Sequence, residues 1–268
     1  MSGLLDVQQI RERLNTRRVG SLVESINSTT STNDAIWDGV SLPIDGYVLF
    51  AEQQTAGRGR MGRSWVCPRG AGLMFSVLLC GEDDTRPDGL YALSAAIACC
   101  DGIAAATDVR PLIQWPNDLY VGRRKLGGIL VEKRRTHDGD NVHVIGVGIN
   151  CLQTEAHFPG ELRGRATSLD IESSQPVLRE AVAASLLNAL DEWLARPARV
   201  SRKRIREAWL ARSAPLGQRI RLRHAGKEYV GCVVDLDPTA AIVVQLEHGG
   251  RRLFHADQTV IMDGAFRA

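Results

Sequence analysis

Residues 47–65 read YVLFAEQQTAGRGRMGRSW, an apolar run followed by a loop rich in arginine and glycine. The β-prone run at 47–52 predicts a buried strand. Beyond it, Arg58, Arg60 and Arg63 alternate with glycines. A guanidinium offers a planar fork of donors that matches phosphate oxygens in pairs, and glycine lets the backbone approach a ligand closely. The stretch therefore predicts a strand that leads into an anion-binding loop.

The loop differs from the two commoner phosphate-binding motifs. It lacks the Lys-Ser/Thr that ends a P-loop, and it carries arginines where a dinucleotide-binding fingerprint has neutral residues. The prediction of phosphate binding therefore depends on the arginines and glycines themselves.

The apolar pattern on both sides of this stretch predicts a mixed α+β fold. Strands are predicted at 22–26, 47–52, 72–80, 112–115, 126–132 and 142–150. Helices are predicted at 4–14, from about residue 34, at 89–106 and through 175–212. Because one long central helix and few crossovers accompany these strands, we expect a sheet with packed helices rather than repeated βαβ units.

The chain changes texture after Pro215-Leu216-Gly217, which ends the last helical pattern. Short β-prone stretches follow at 219–223, 227–235, 241–247 and 251–255, separated by turn residues. They predict a small β-barrel of about fifty residues, only marginally able to fold alone. We therefore expect a main domain at 1–213 and a second domain at 214–268.

The overall charge is close to balanced. The 268 residues include 33 basic and 31 acidic side chains, for a net charge of +2, and 44% are hydrophobic. A general polyanion-binding protein is disfavoured, so any electropositive function must be local.

The cysteines and the N-terminus predict a cytoplasmic protein without structural zinc. The six cysteines show no C-x-x-C spacing, and most lie in apolar runs where a thiol packs as a small hydrophobe. The sequence shows no basic-then-apolar signal segment, and we expect no apolar stretch of membrane-spanning length. A reducing compartment fits these features.

A second motif, residues 115–119, follows the predicted strand at 112–115. Asn117 can hydrogen-bond a purine or a ribose, and Asp118 can hold Mg²⁺. Pro-Asn-Asp is also an ordinary turn sequence, and from these residues alone a turn is favoured.

Two further motifs place glycines in predicted strands. Lys125 enters a strand through Gly127 and Gly128, which indicates either a close approach to the backbone or a surface lysine at a hairpin. Gly146 and Gly148 fall on one face of the next strand, as a β-bulge or as a floor beneath a ligand. The residues leave both alternatives open.

Together these motifs resemble the biotin protein ligases, from about Ser25 to the C-terminus. The matching segments are Ser31-Thr32-Asn33, Gln54 with the loop 57–65, Trp115 to Leu119, Lys125 to Glu132 and Gly146 to Asn150. The resemblance implies a catalytic domain of the class II synthetase-like biotin/lipoyl ligase type, with an SH3-like C-terminal β-barrel.

The resemblance also implies a biotin site. Its residues are Ser31, Thr32, Asn33, Gln54, Gly57, Arg58, Gly59, Arg60, Lys125 and Gly128. In this family such residues hold the ureido head and ring, while Arg58, Arg60 and Lys125 hold the carboxylate and the activated phosphate and are the catalytic residues.

A nucleotide site is implied beside it. Its residues are Arg60, Arg63, Trp65, Asn117, Lys125 and Asn150. Trp65 would stack on adenine, and the two asparagines would face the nucleotide. The metal ligands stay unknown, with Mg²⁺ expected on the ATP phosphates and Asp118 as a candidate ligand.

The implied reaction uses biotin, ATP and Mg²⁺ in two steps. Biotin and ATP form biotinyl-5′-AMP and pyrophosphate, and a lysine of a biotin carboxyl carrier protein domain then takes the biotin. Cations suit this chemistry because they lower the repulsion between two anions and stabilise charge at the transferring phosphorus.

One position departs from the family pattern. The family usually has lysine before Trp-Pro-Asn-Asp, whereas this chain has Gln114. A neutral amide supplies no charge, so phosphate stabilisation is expected to weaken by about 1–3 kcal/mol if the contact is direct. We expect Arg110, Arg123 or Arg124 to reach the site instead.

Two other functions compete with this one. Lipoate or octanoate transferases share the fold but resemble Arg-Arg-x-x-Gly-Gly-Gly at the first loop, which favours biotin here. A DNA-binding regulator would need a three-helix unit before Ser31, and only the short helix at 4–14 is available. We therefore expect the short form of the enzyme, without DNA binding.

The remaining charged residues are assigned no function. The basic cluster at Arg196, Arg199, Arg202, Lys203, Arg204 and Arg206 is more typical of a solvated helix face than of a nucleic-acid site. The six histidines form no recognisable ligand spacing, and the sequence does not decide between a monomer and a homodimer.

The arginine loop, residues 57–65, is expected to be mobile when empty and to close over the adenylate.

Overall fold

A seven-stranded mixed sheet forms the centre of the protein. The computed structural model describes residues 4–38, 43–81, 87–136, 139–194, 201–237 and 239–263. The strands are β1 (Leu22–Ile26), β2 (Tyr47–Ala51), β3 (Gly72–Cys80), β4 (Leu112–Gln114), β5 (Asp118–Val121), β6 (Arg124–Arg135) and β7 (Asn141–Asn150). Their order is β1-β2-β3-β7-β6-β5-β4, with β1 and β2 parallel and the other neighbours antiparallel.

Helices pack on both faces of this sheet. They are α1 (Val7–Arg11), α2 (Thr32–Asp38), α3 (Asp88–Ala106), α4 (Leu169–Glu172), α5 (Arg179–Trp193) and α6 (Arg202–Arg212). Side chains alternate between faces along a strand, so Phe75 and Val77 point into the large core shared with α3 and α5. Leu78 points the other way, into a smaller cluster with Ile36 of α2. The α2 side of the sheet also carries buried polar residues, among them Thr32, Asn33 and Ser76.

Helix α3 corrects one expectation from the sequence. Its 19 residues are long and apolar enough to cross a membrane by composition, although no such stretch was expected. The most apolar part is 67% buried inside the protein. Helix α3 is therefore the core helix of a globular fold, packed against α5.

A second, five-stranded antiparallel sheet follows α6. Its strands are β8 (Arg219–His224), β9 (Lys227–Leu236), β10 (Ile242–Leu246), β11 (Arg251–Phe254) and β12 (Thr259–Asp263), in the order β11-β10-β9-β8-β12. The Trp115 indole N–H donates to the Ala240 carbonyl at 3.1 Å, and Arg206 pairs with Asp235. The apolar residues of this sheet join the same hydrophobic cluster as the main core.

The fold class predicted from the sequence is confirmed, and the differences lie in short elements. Strands β5 and β12 and helix α4 were not predicted, while β6 is longer than expected and α1 is shorter. The predicted helical region 175–212 contains α5 and α6. Residues 195–200, which include Arg196 and Arg199 of the basic cluster, lie outside the described residues, as does His137.

Candidate active site

A shallow trough runs across the α2 side of the central sheet. In the strand register, Met74 lies opposite Gly148, Gly148 opposite Gly128, and Gly128 opposite Asp118. One step along, Ser76 lies opposite Gly146. Residues in register share a face of the sheet. Gly128, Gly146 and Gly148 have no side chain, so this face of the strands leaves room for other segments. We call the face around these three glycines the glycine trough.

Trp65 packs onto the trough at Gly148. A Cβ atom at Gly148 would lie 2.7 Å from Cε2 of the indole, so only glycine admits the ring here. Trp65 also contacts the small cluster of Cys67, Ala71 and Met74. Its Nε1 is buried and has no hydrogen-bond partner among the described residues. The indole is thus packed closely against the backbone of Gly148, and its N–H donor has no partner among the described residues.

Asn33 occupies the next position, over Gly146. A Cβ atom at Gly146 would lie 2.3 Å from Asn33 Oδ1. The Asn33 amide donates to Glu132 Oε2 at 2.7 Å, and its oxygen lies 2.6 Å from Ser76 Oγ. Both ends of the Asn33 side chain are hydrogen-bonded within the protein. Asn33 therefore fills the trough at Gly146 and holds α2 against β6 and β3.

Residues of the first motif meet Gln54 at the start of α2. The Thr32 amide donates to Gln54 Oε1 at 2.7 Å, and Thr32 Oγ1 lies 3.1 Å from the same oxygen. Ser31 is 4% exposed, and its carbonyl accepts the amides of Asp34 and Ala35 in the first turn of α2. Ser31, Thr32 and Gln54, distant in sequence, thus form one polar cluster beside Met74.

The arginine loop closes on itself as a narrow hairpin. The Trp65 amide donates to the Gly57 carbonyl at 2.8 Å, and the Gly59 amide donates to the Arg63 carbonyl at 2.6 Å. A 3-10 helix, Arg60–Gly62, forms its tip. These bonds set the three arginines in different directions, and Arg63 is exposed.

Arg58 turns toward α2 and β6. Its Nη2 lies 3.1 Å from Asp34 Oδ1 and 2.9 Å from Glu132 Oε2. Asp34 also pairs with Arg134 at 2.6 Å, and the Arg134 guanidinium stacks over Trp37 of α2. The result is a charge network that joins the loop, α2 and β6.

Arg60 points into the protein, toward the second sheet. It donates to Asn117 Oδ1 at 3.3 Å and to the Ala256 carbonyl. Burial lowers the pKa of the Arg60 guanidinium, against the opposing effect of Asp118. Asn117 in turn donates to the Ile129 carbonyl at 2.6 Å. Arg60 thus links the loop to both sheets.

Lys125 stands beside the trough with a carboxylate partner. Its Nζ lies 2.7 Å from Asp118 Oδ1 and 5.9 Å from the centre of the Trp65 ring. Asp118, the candidate metal ligand, is therefore ion-paired. The predicted cation and the predicted stacking ring do lie side by side.

Asn150, which is predicted to face a nucleotide, lies buried at the end of β7. It is 5% exposed, its amide donates to the Thr167 carbonyl at 2.9 Å, and its oxygen accepts from Gln153 at 2.9 Å. Gln153 also lies 3.1 Å from Cys67 Sγ. Burial raises the pKa of the Cys67 thiol to about 12. Sequence reasoning missed Gln153, which lies beyond the motif and carries no distinctive pattern.

The expected substitutes for a charge at Gln114 are engaged elsewhere. Arg110 donates to carbonyls beside its own position, Arg124 pairs with Glu155 and Glu172, and Arg123 is exposed. Gln114 itself lies opposite Asp118, 8% exposed, and its Oε1 has no partner within the described residues. The replacement of the missing lysine by one of these arginines therefore stays a prediction.

A cavity of about 640 Å³ lies on the other side of the sheet, beside α3 and α5. None of the predicted site residues lines it. Asp191 at its wall accepts the amides of Arg17, Arg18 and Val19, and Asp101 pairs with Arg212. Because Asp191 and Asp101 already have partners within the protein, the glycine trough is the better candidate for an active site.

Comparisons with known proteins show which family this chain resembles. A model of the biotin/lipoate A/B protein ligase family matches residues 24–150. The chain is similar to a biotin--[acetyl-CoA-carboxylase] ligase of Mycobacterium tuberculosis, with 33% identity over 260 residues that cover 92% of this chain and 91% of that protein. It is also similar to the bifunctional ligase/repressor BirA of Bacillus spizizenii, with 29% identity over 95% of this chain and 79% of the relative.

The fold has a close counterpart among solved structures. A biotin protein ligase from Aquifex aeolicus, in complex with biotin and ATP, superimposes with a TM-score of 0.78 at 24% identity. The match covers 90% of this chain and 99% of the other.

Proposed function

The chain belongs to the biotin protein ligase family, and on that premise we propose that it activates biotin with ATP and transfers it to a carrier-protein lysine. The observation that supports the proposal is the position of Lys125 beside the glycine trough, with its Nζ 5.9 Å from the centre of the Trp65 ring. Trp65 packs on Gly148 of the same trough, Arg58 pairs with Glu132 on β6, and Thr32 contacts Gln54 nearby.

The first step joins two anions. A biotin carboxylate oxygen attacks the α-phosphorus of ATP, and the bond from that phosphorus to the bridging oxygen of pyrophosphate breaks. Arg58 and Lys125 are positioned to reduce the repulsion between carboxylate and phosphate, and Arg60 to stabilise charge on the transferring phosphorus. Mg²⁺ on the ATP phosphates would supply charge for the departing pyrophosphate, and Asp118, which is paired with Lys125, is the candidate carboxylate to hold it.

The second step takes place at the acyl carbon. The carrier lysine amine attacks this carbon, AMP leaves with the electron pair of the broken acyl–oxygen bond, and the amine loses a proton. Water would compete in this step, because a mixed anhydride hydrolyses easily. The arginine loop meets the trough through Trp65 at Gly148 and Arg58 at Glu132, and it would exclude water while the carrier approaches.

Binding roles follow the same geometry. Ser31, Thr32 and Gln54 would hold the polar head of biotin, Asn33 would support the floor, and Trp65 would stack on adenine. We retain Asn117 and Arg63 as nucleotide contacts. We also retain Asn150 as a nucleotide contact; its amide, like that of Asn117, is hydrogen-bonded at both ends within the protein.

The larger organisation is part of the proposal. We divide the chain into a catalytic domain at 1–213 and a C-terminal β domain at 214–268, which would shape the carrier site and steady the nucleotide side. The acceptor would be a biotin carboxyl carrier protein domain of the acetyl-CoA carboxylase type, and the enzyme would work in the cytoplasm.

Mass spectrometry of a carrier domain tests this function. Incubation with biotin, ATP and Mg²⁺ should add one biotin to a single carrier lysine, and omission of ATP or of Mg²⁺ should abolish the product. Lipoate and octanoate are supplied in parallel, because the family model that matches residues 24–150 includes lipoate ligases. Transfer of lipoate but not biotin would contradict the proposal.

A further inference from the structure

One nitrogen of the Arg58 guanidinium, Nη2, makes all of its contacts with two carboxylates of the protein. Nη2 lies within hydrogen-bond distance of Asp34 Oδ1 and of both carboxylate oxygens of Glu132, at 3.1, 3.1 and 2.9 Å. A guanidinium offers two forks to an anion, one from Nη1 and Nη2 and one from Nε and Nη2. Nη2 belongs to both forks. Neither fork is therefore open to a ligand while the two carboxylates hold this nitrogen.

Each of the two carboxylates has a second partner. Asp34 accepts from Arg134 at 2.6 Å, and Arg134 is itself held over the Trp37 ring. Glu132 accepts from the Asn33 amide at 2.7 Å. If Arg58 turns away, neither carboxylate loses its only partner, which keeps the cost of release small.

The site is also open enough for exchange. The side chains of Arg58, Asp34 and Glu132 are 41%, 31% and 28% exposed. Ion pairs in such surroundings are worth little compared with buried ones, because water solvates the separated charges. An incoming carboxylate or phosphate can therefore compete with the internal pair.

We propose that Asp34 and Glu132 form an internal anion site that holds Arg58 in the empty enzyme and gives it up to the anionic ligand. They are positioning residues, since they act through Arg58 on the biotin carboxylate or the α-phosphate. The inference rests on the proposed function for the identity of the ligand. It also revises the expectation of a freely mobile empty loop: the loop is tethered through Arg58 to α2 and β6.

Hydrogen exchange on the ligand-free protein tests the tether without any ligand. The amides of Gly59 and Trp65 are hydrogen-bonded within the loop. In E132Q and D34N they should exchange faster than in the wild type. The control E155Q removes a charge that pairs with Arg124 outside the trough, and it should leave their exchange unchanged. Unchanged exchange in both E132Q and D34N would overturn the tether.

Biotin binding measured by calorimetry without ATP tests the competition. Glu132→Gln keeps an acceptor for Asn33 but removes the charge that holds Arg58, so the Kd for biotin should fall by about two- to fivefold. In the Arg58→Ala background the same change should have no effect. A rise in Kd, or an equal shift without Arg58, would show that Glu132 does not compete with the ligand.

Failure of the proposed function gives a different result. A wild type that binds no biotin would refute the ligand, while faster exchange in E132Q and D34N would still support the tether. Binding of biotin with unaltered exchange in these variants would refute the tether alone.

Discussion

At Gly148, the indole of Trp65 fills the space that a side chain would take. This contact explains at the level of single atoms why a strand interior carries glycine, which is otherwise unfavourable there. The same holds at Gly146, where Asn33 lies over the backbone. The Gly-x-Gly pattern was open to two interpretations in the sequence, and the structure supports the floor rather than the bulge, since β6, β7 and β3 pair continuously through both glycines.

The Gly148→Ala variant tests this contact. The new methyl group would lie 2.7 Å from the indole, so Trp65 must move, at a cost of about 1–3 kcal/mol. We expect the KM for ATP to rise at least about fivefold, with a smaller change in biotin affinity and an altered Trp fluorescence. Gly160→Ala is the matched control, because a Cβ atom there meets nothing within 4 Å. Equal behaviour of the two variants would contradict the assigned role of the ring.

Gln114→Lys tests the departure from the family pattern. The side chain lies opposite Asp118, and its buried Oε1 has no hydrogen-bond partner among the described residues. A lysine here should lower the KM for ATP or raise the adenylation rate, by up to about 1–3 kcal/mol in the transition state. Pyrophosphate exchange kinetics measure both quantities. Gln114→Met is the control for shape without charge, and unchanged kinetics in Gln114→Lys would show that no charge is missing.

Residue roles were predictable from the sequence only within a motif. The resemblance to the biotin protein ligases assigned roles to the loop arginines, Lys125 and Trp65, and the structure places Lys125 Nζ 5.9 Å from the centre of the Trp65 ring. Partners from distant segments were not predictable. Glu132 beneath Asn33 and the Ala256 carbonyl at Arg60 depend on strand register and on the approach of the second sheet, which no local pattern encodes.

The arginine loop, at the scale of elements, is a bridge between the two sheets. The 3-10 helix Arg60–Gly62 places Arg60 against Asn117 of the β4–β5 turn and against Ala256, just before β12. A loop fastened at this point is held close to the trough. We therefore expect the loss of Arg60 to weaken the retention of biotinyl-AMP more than it weakens the binding of biotin.

Arg60→Gly tests that separation. Loss of both contacts should shorten the half-life of enzyme-bound biotinyl-AMP more than tenfold, about 1.4 kcal/mol or more, while the Kd for biotin changes less. Release of labelled adenylate from a stoichiometric complex and biotin calorimetry give the two values. Met61→Gly adds a glycine to the same turn without removing these contacts, and Met61 already has a φ of 55° that glycine adopts freely. Equal losses of retention and affinity in Arg60→Gly would contradict the assignment.

Long elements were predictable, and short ones were not. Strand β3 and helix α3 have apolar runs long enough to override local ambiguity, and their bounds agree with the prediction to within one residue. Strand β5 has only four residues and begins in a Pro-Asn-Asp segment that favours a turn. Its extended conformation is therefore stabilised by pairing with β6 rather than by its own sequence. Strand β12 likewise follows a 3-10 turn and is specified by its partner β8.

Across the whole molecule, a buried ion pair ties together segments that are far apart in the chain. Glu52, at the end of β2, pairs with Arg179 of α5 at 2.7 Å, and their side chains are 4% and 6% exposed. Glu52 also accepts the Leu5 amide at 2.6 Å, while Arg179 donates to the Gly72 carbonyl at 3.3 Å. The N-terminal segment, the central sheet and the helix layer therefore meet next to the residues that lead into Gln54 and the site.

Arg179→Met tests the contribution of this pair to the stability of the whole fold. The variant leaves Glu52 buried without its cation, and the free energy of unfolding in urea should fall by about 3–5 kcal/mol. Adding Glu52→Gln should recover part of the loss, because glutamine still accepts from Leu5 and carries no charge. Lys203→Met is the control: its pair with Glu207 is 83% and 59% exposed, and its loss should cost at most about 0.5 kcal/mol. If Arg179→Met costs no more than this control, or the double variant is less stable than Arg179→Met alone, the buried pair does not hold the layers together. In that case the apolar core shared by the central sheet, α3 and α5 would account for the coupling between the sheet and the helix layer.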